Sequence, residues 1–135
     1  MHSFIFSVSL RFFGLNTDPD IICQQLKLSP KWKQKVGDLR VDPRGQELGG
    51  TYDRNYCSFN LADKQAGELH EFLEKTINYL MQYKSTFELV SSSGDRAELF
   101  IGWYSQGNTG DILGSSLLRK IGELNIDLAL DVYGS

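Results

Sequence analysis

Leu124-Asn-Ile-Asp-Leu-Ala-Leu-Asp-Val-Tyr133 is the stretch whose reading decides the fold. Leu124, Ile126, Leu128, Leu130 and Val132 fall on one side of a period-2 repeat, and Asn125, Asp127 and Asp131 fall on the other. A strand reads this way when one face is buried and the other is wet, because successive side chains point to opposite faces. The same alternation opens the chain, where Phe4, Phe6, Val8, Leu10 and Phe12 interleave with Ser3, Ser7, Ser9 and Arg11. Both ends therefore belong to a sheet with helices on one face and a polar face toward water. The apolar side from Leu124 to Val132 is expected to be core along its whole length.

Helix signals lie between these strands. Asn16-Thr-Asp-Pro-Asp-Ile21 reads as a helix start, with Asp18 as cap, Pro19 in the first helical position and Asp20 complementing the positive helix end. A long helix is predicted from about Asp63 to Tyr83, its apolar stripe formed by Ala66, Leu69, Phe72, Leu73, Ile77, Leu80 and Met81. Ser85 and Glu88 have capping-box spacing, so Thr86 to Val90 read as a short helical turn or, alternatively, a short strand. Leu117, Leu118, Ile121 and Leu124 mark a last helix, with Ser115 or Ser116 as its cap. Cys57, Phe59 and Leu61 mark a strand, as do Ala97 to Tyr104. Residues 29–55 read as a long loop with one short strand, near Val36 to Val41 or Gly49 to Asp53. The order β-α-β-β-α-β-α-β predicts an α+β fold: a mainly antiparallel sheet with helices packed on one face and a ferredoxin-like core.

Length and composition bound the function. At 135 residues the chain is expected to form a single domain, 1–135, that buries its own core. No apolar run reaches the ~18 residues a membrane span needs, and the opening segment is too interrupted for a signal peptide. A cytoplasmic location is expected. Cys23 and Cys57, the only cysteines, read as free thiols, since further thiols or histidines that a metal or redox site would need are absent nearby. The net charge of -3 is unevenly placed: residues 1–54 hold eight Lys and Arg against six Asp and Glu, and residues 55–135 hold six against eleven. Neither half has the single-sign excess of a nucleic-acid binder.

The residues that could carry chemistry are few. His70 and Glu74 share a helix face, but two ligands are the minimum for a metal site and nothing in the sequence supplies a third. A solvated histidine among glutamates explains them better, and no catalytic, cofactor or metal residues are assigned. Asp127 and Asp131 sit on the order of 13 Å apart on one strand face, beyond the reach of a glycosidase pair. One of them is expected to pair with Arg11 if the first and last strands are neighbours. Gly107 to Gly114 precedes a helix, yet lacks the Lys-Ser/Thr ending of a phosphate loop. Lys31, Trp32, Lys33, Lys35, Arg40 and Arg44 mix cations with an aromatic, diluted by Asp38, Asp42 and Glu47. Ferredoxin-like RNA binders stack bases on the open sheet face, where Glu98, Asp127 and Asp131 would here repel phosphates. No nucleic-acid partner is therefore expected.

The order of landmarks resembles a known family. Phe13-Gly14 at the end of the first strand, Asp18-Pro-Asp-Ile21, Leu26-Lys-Leu-Ser-Pro30, Lys35-Val-Gly-Asp38 and the closing Leu124 to Tyr133 strand are similar to the bacterial family called domain of unknown function 4279. The resemblance spans nearly the whole chain. It implies a compact, stand-alone, cytoplasmic bacterial α+β protein, and it offers no catalytic residues to carry over. Small acidic proteins of this type are often immunity partners of bacterial toxins, by analogy only.

Two functions follow as expectations. The first is a non-enzymatic protein-binding module, in its most concrete form an immunity protein that neutralises a toxin. Its contact surfaces would be the 29–55 loop with Trp32, Lys33, Asp38, Arg40 and Arg44, and the wet sheet face with Asp127 and Asp131. The alternative is an enzyme or small-ligand binder with a cleft between the 29–55 and 105–114 loops, using Asp38, Arg40, Arg44, Tyr52 and Asp111. A homodimer formed through a sheet edge or the wet face is compatible with both.

Overall fold

The computed structural model describes residues 4–134, so His2 and Ser3 lie outside it. The first strand, β1 (Phe4–Gly14), is the centre of the sheet. It buries Phe4, Phe6, Val8, Leu10 and Phe12 on one side and turns Ser7, Ser9 and Arg11 to the other, as the alternation requires. Three further strands, β2 (Trp32–Gln34), β3 (Leu39–Val41) and β4 (Glu47–Thr51), come before β5 (Asn55–Gly67). The last two are β6 (Arg96–Tyr104) and β7 (Ile126–Tyr133). The main sheet has the order β2-β5-β1-β6-β7, with β3 and β4 forming a separate two-stranded hairpin. All pairs in the main sheet are antiparallel except β6 with β7, which is parallel. A parallel neighbour needs a crossover, and a helix supplies it.

The helices are α1 (Pro19–Leu26), α2 (Leu69–Leu80), α3 (Lys84–Ser92) and α4 (Ser115–Glu123). They contribute Ile22 and Leu26, Leu69, Leu73, Ile77 and Leu80, Phe87 and Val90, and Leu117 and Ile121 to one core with the inward side of β1, β5 and β6. The fold is thus α+β, with helices packed against a mainly antiparallel sheet. Asp18 caps α1 by accepting from the Asp20 N–H at 2.9 Å, and Pro19 follows in the first turn, as the sequence predicts. The turn near Ser85 is helical, but Tyr83 rather than Ser85 holds the N-cap position of α3, and its side chain makes no capping bond. Likewise Gly114 precedes α4, and Ser115 is already helical.

Four expectations are corrected. The long helix begins at Leu69 rather than Asp63, because residues 62–67 pair with the start of β1, where Phe4 lies opposite Gly67 and Phe6 opposite Gln65. Pairing with a distant segment overrides a helical local pattern. Residues 29–55 hold three short strands instead of one: β2 extends the sheet edge, and Asp42 ties the hairpin turn by accepting from Arg44 and Gln46. The apolar side of β7 is not core throughout. Leu124 and Ile126 are buried, but Leu130 and Val132 are 54% and 61% exposed. The nine residues of α4 reach only about 14 Å, whereas the eight of β7 extend roughly 26 Å, so the helix covers the first half of the edge strand alone.

The fourth correction removes the proposed cleft. The 29–55 segment enters β5 at Asn55, opposite Gly14, whereas the 105–114 loop leaves β6 at Tyr104, opposite Ile5. These are the two ends of β1, roughly 30 Å apart. The loops diverge and form no cleft between them.

One polar cluster closes the Gly14 end. Asp95, buried at the start of β6, accepts the backbone N–H groups of Leu15, Asn16 and Thr17 at 3.2, 3.1 and 2.6 Å. The side chain of Asn55 joins the same corner, donating to the Thr17 carbonyl and accepting from the Val36 N–H.

Candidate functional site

The face of the five-stranded sheet opposite the helices carries the side chains that point away from the core. Register places its side chains in rows. Gln34, Tyr56, Phe13 and Arg96 form the row nearest the Gly14 end. Trp32, Ser58, Arg11, Glu98 and Asp127 form the next, followed by Asn60, Ser9, Phe100 and Ala129. Ser7, Gly102 and Asp131 come after, and Ile5, Tyr104 and Tyr133 close the face at the other end. Half-buried aromatics thus lie along a face that periodicity alone labels polar.

These aromatics are held by cations and by one another. The Phe13 and Tyr56 rings stack at 6.4 Å, and the guanidinium groups of Arg54 and Arg96 each lie 5.4 Å from the Phe13 ring. Arg11 lies 3.6 Å above the Phe100 ring and 3.7 Å from Glu98. Tyr104 and Tyr133 stack at 4.8 Å with their planes 5° apart, and the Lys64 ammonium sits 4.2 Å over Tyr104. Gly102 makes this packing fit, since a Cβ there would meet Ser7 Oγ at 2.5 Å and the Tyr104 hydroxyl at 2.9 Å. Among the described residues, a concavity of about 450 Å³ opens at this end, lined by Phe4, Ile5, Tyr104, Ser105, Gln106, Thr109 and Tyr133.

The carboxylates on the face are all partnered. Asp127 accepts from Arg96 Nη2 at 2.7 Å and Nε at 3.1 Å, Glu98 faces Arg11, and Asp131 accepts the Tyr133 hydroxyl. That hydroxyl is held above its ordinary pKa by the bond to Asp131. Arg11 pairs with Glu98 rather than with Asp127 or Asp131 because β6 lies between β1 and β7. The repulsion these acids would exert on a phosphate is accordingly weaker than that of three free charges.

The residues expected on the two contact surfaces, the 29–55 loop and the wet sheet face, occupy three places. Trp32 lies at the β2 edge of the open face, its indole N–H donating to Gln34 Oε1 at 3.0 Å. Lys33 turns the other way and pairs with Asp20 of α1 at 2.5 Å, while Lys35 bonds the same carboxylate. These hydrogen bonds hold Asp20 below its ordinary pKa and both lysines above theirs. Asp38, Arg40 and Arg44 belong to the exposed hairpin arm. Tyr52 braces that arm, its hydroxyl donating to the Val41 carbonyl at 3.1 Å. Asp127 and Asp131 sit on β7, at the opposite edge from β2 with three strands between. Trp32 and the β7 acids share a face; the arm residues project from its end.

A second cluster was only half legible in sequence. His70, in the first turn of α2, meets Asp111 rather than Glu74: its Nδ1 lies 2.8 Å from Asp111 Oδ1, and its backbone N–H donates to Asp111 Oδ2 at 2.8 Å. Glu68 Oε2 lies 3.8 Å from the same Nδ1. Glu68, His70 and Asp111 form the one group of metal-type ligands found among the described residues. Asp111, expected on the cleft wall, instead supplies the missing third group from 41 residues away, beyond any local spacing rule.

Both thiols are free. Cys57 is buried and its thiol is pushed up to about 12 by desolvation, and half-buried Cys23 is raised for the same reason. Neither is the activated thiolate of a nucleophile. Among the described residues, no helix is long and apolar enough to cross a membrane.

No curated protein and no solved structure matches this chain. The profile of one family does match, over residues 3–135, and that span includes the aromatic face, the arm and the Glu68–His70–Asp111 cluster. The chain belongs to the family described as domain of unknown function DUF4279.

Proposed function

We propose that the protein is a non-enzymatic protein-binding module whose docking surface is the open face of the sheet, and whose most concrete role is that of an immunity protein neutralising a toxin. The observation that carries this reading is the set of aromatics on that face, Trp32, Tyr56, Phe13, Phe100, Tyr104 and Tyr133, interleaved with Arg11, Arg96 and Lys64. Aromatic residues and arginine are the groups enriched where protein interfaces concentrate their binding energy. Rings already fixed by stacking and by cations lose little freedom on docking. The net charge of -3 favours a basic protein partner over nucleic acid. Leu130 and Val132, exposed beside the free edge of β7, extend the surface toward the helix side.

The test is recovery of a complex from the native host with a tagged chain, followed by co-expression with the product of the adjacent reading frame. A one-to-one complex that Phe100→Ala and Tyr104→Ala weaken while both variants keep the wild-type circular dichroism spectrum is the expected result, and relief of that partner's toxicity would establish the immunity role. Recovery of no protein partner under several salt conditions, or preferential binding of single-stranded RNA to the same face, would overturn the reading. Sedimentation of the chain alone distinguishes self-association through β7.

A further inference from the structure

We propose that Glu68, His70 and Asp111 form a binding site for a divalent transition-metal ion such as zinc, which clamps the 105–114 loop onto the start of α2. One ligand atom from each residue lies within 4.8 Å of the others. The measured separations from His70 Nδ1 are 2.8 Å to Asp111 and 3.8 Å to Glu68. Three ligands at zinc bond lengths of about 2.0–2.1 Å in a tetrahedron lie roughly 3.3 Å apart. The two separations bracket that value, so small side-chain rotations convert the cluster into a coordination shell.

A second observation points to an occupant. Glu68 Oε2 is buried and has no hydrogen-bond partner, one of two side-chain atoms in that condition among the described residues. A carboxylate oxygen taken from water without a donor is costly, and here it faces a histidine nitrogen and a second carboxylate. A cation among the three satisfies it. Asp111 is prepared for this role independently of the imidazole. Its side chain is 2% exposed, and the backbone N–H groups of His70 and Ile112 hold it at 2.8 and 2.7 Å, the kind of outer support that orients metal ligands.

The charges also fit. Two carboxylates and a neutral imidazole carry a double negative charge, which a divalent ion cancels. The positive end of α2 opposes a cation here, but amounts to only about half a charge. His70 and Glu68 each keep 29% of their side-chain surface exposed, which leaves an entry path and a fourth position for water. The bound ion would fix the loop that carries Gln106 and Thr109 beside Tyr104. The proposal stands on different residues from the protein-binding reading and does not depend on it.

The experiment is calorimetric titration of the chelator-stripped full chain with zinc chloride at pH 7.5, alongside Glu68→Gln, His70→Gln and Glu74→Gln. One ion per chain in the wild type is expected, with affinity lowered about tenfold or more in the first two variants and unchanged in the third. Glu68→Gln keeps the size and shape of a side chain that is 29% exposed and whose buried oxygen makes no hydrogen bond, and is expected to stay folded, so its lost binding cannot be ascribed to unfolding. A thermal shift on adding zinc should likewise vanish in that variant. Absence of saturable binding in the wild type, or equal affinity in Glu68→Gln, His70→Gln and the wild type, would overturn the proposal.

Discussion

The carboxylate of Asp95 occupies the space in which a side chain on Gly14 would begin. A Cβ built on Gly14 would lie 2.1 Å from Asp95 Oδ1 and 2.2 Å from its Cγ. The two residues are 81 apart in sequence, yet they fix the corner where β1 ends, β6 starts and the chain turns toward α1. Gly14→Ala must therefore displace a carboxylate that holds three backbone donors. The expected loss is about 3 kcal/mol, at the upper end for overpacking, read from the urea midpoint. An unchanged midpoint would contradict the geometry.

Because the clash involves one partner, it should disappear with that partner. Asp95→Ala alone is expected to cost about 2 kcal/mol by leaving the N–H groups of residues 15–17, of which that of Thr17 is buried, without their acceptor. In that background Gly14→Ala should cost markedly less than in the wild type. A double-mutant cycle measures the coupling, and strict additivity would show that the two residues act separately.

Leu99 and Leu130 separate packed from unpacked positions on the same face of the sheet. Leu99 is fully buried, while Leu130 is 54% exposed. Leu99→Ala is expected to cost about 2–5 kcal/mol and Leu130→Ala less than about 1 kcal/mol in chemical denaturation. Comparable losses would mean that something covers β7 in solution.

The His70–Asp111 contact makes stability depend on pH. The hydrogen bond from Asp111 raises His70 above its ordinary 6.5, so its contribution is complete below 6.5 and is lost as pH rises through the raised folded value. Burial pushes Asp111 up, but the backbone N–H groups of His70 and Ile112, together with the imidazole, outweigh it and hold the carboxyl below 3.8. Its contribution is complete above 3.8 and is lost as pH falls through the lowered folded value. With chelator present, the midpoint difference between wild type and His70→Gln should be largest between about pH 4 and 6.5 and shrink toward alkaline pH. A difference that widens with rising pH would refute the assignment.

The thiols give a chemical check on the core. With its thiol pushed up to about 12 by burial, Cys57 should resist alkylation at pH 8 until the chain unfolds. Cys23, half buried on α1, should react first but more slowly than a free thiol. Mass spectrometry of native and urea-treated protein reads both.

The sequence by itself determined what depends on neighbours along the chain. Period-2 alternation placed β1 and the start of β7, and Asp18-Pro19 began α1, because strand facing and helix capping are set within a few residues. Only the tertiary structure decided what depends on partners far apart. Residues 62–67 became strand because β1 was available to pair with them. Leu130 and Val132 stayed exposed because α4 is too short to cover an edge strand. The open face emerged as an aromatic surface because Tyr56, Phe100, Tyr104 and Tyr133 come from three strands whose order the chain does not announce. Asp111 found His70 for the same reason: a loop contact across the fold is made by the packing of whole elements, and no local spacing encodes it.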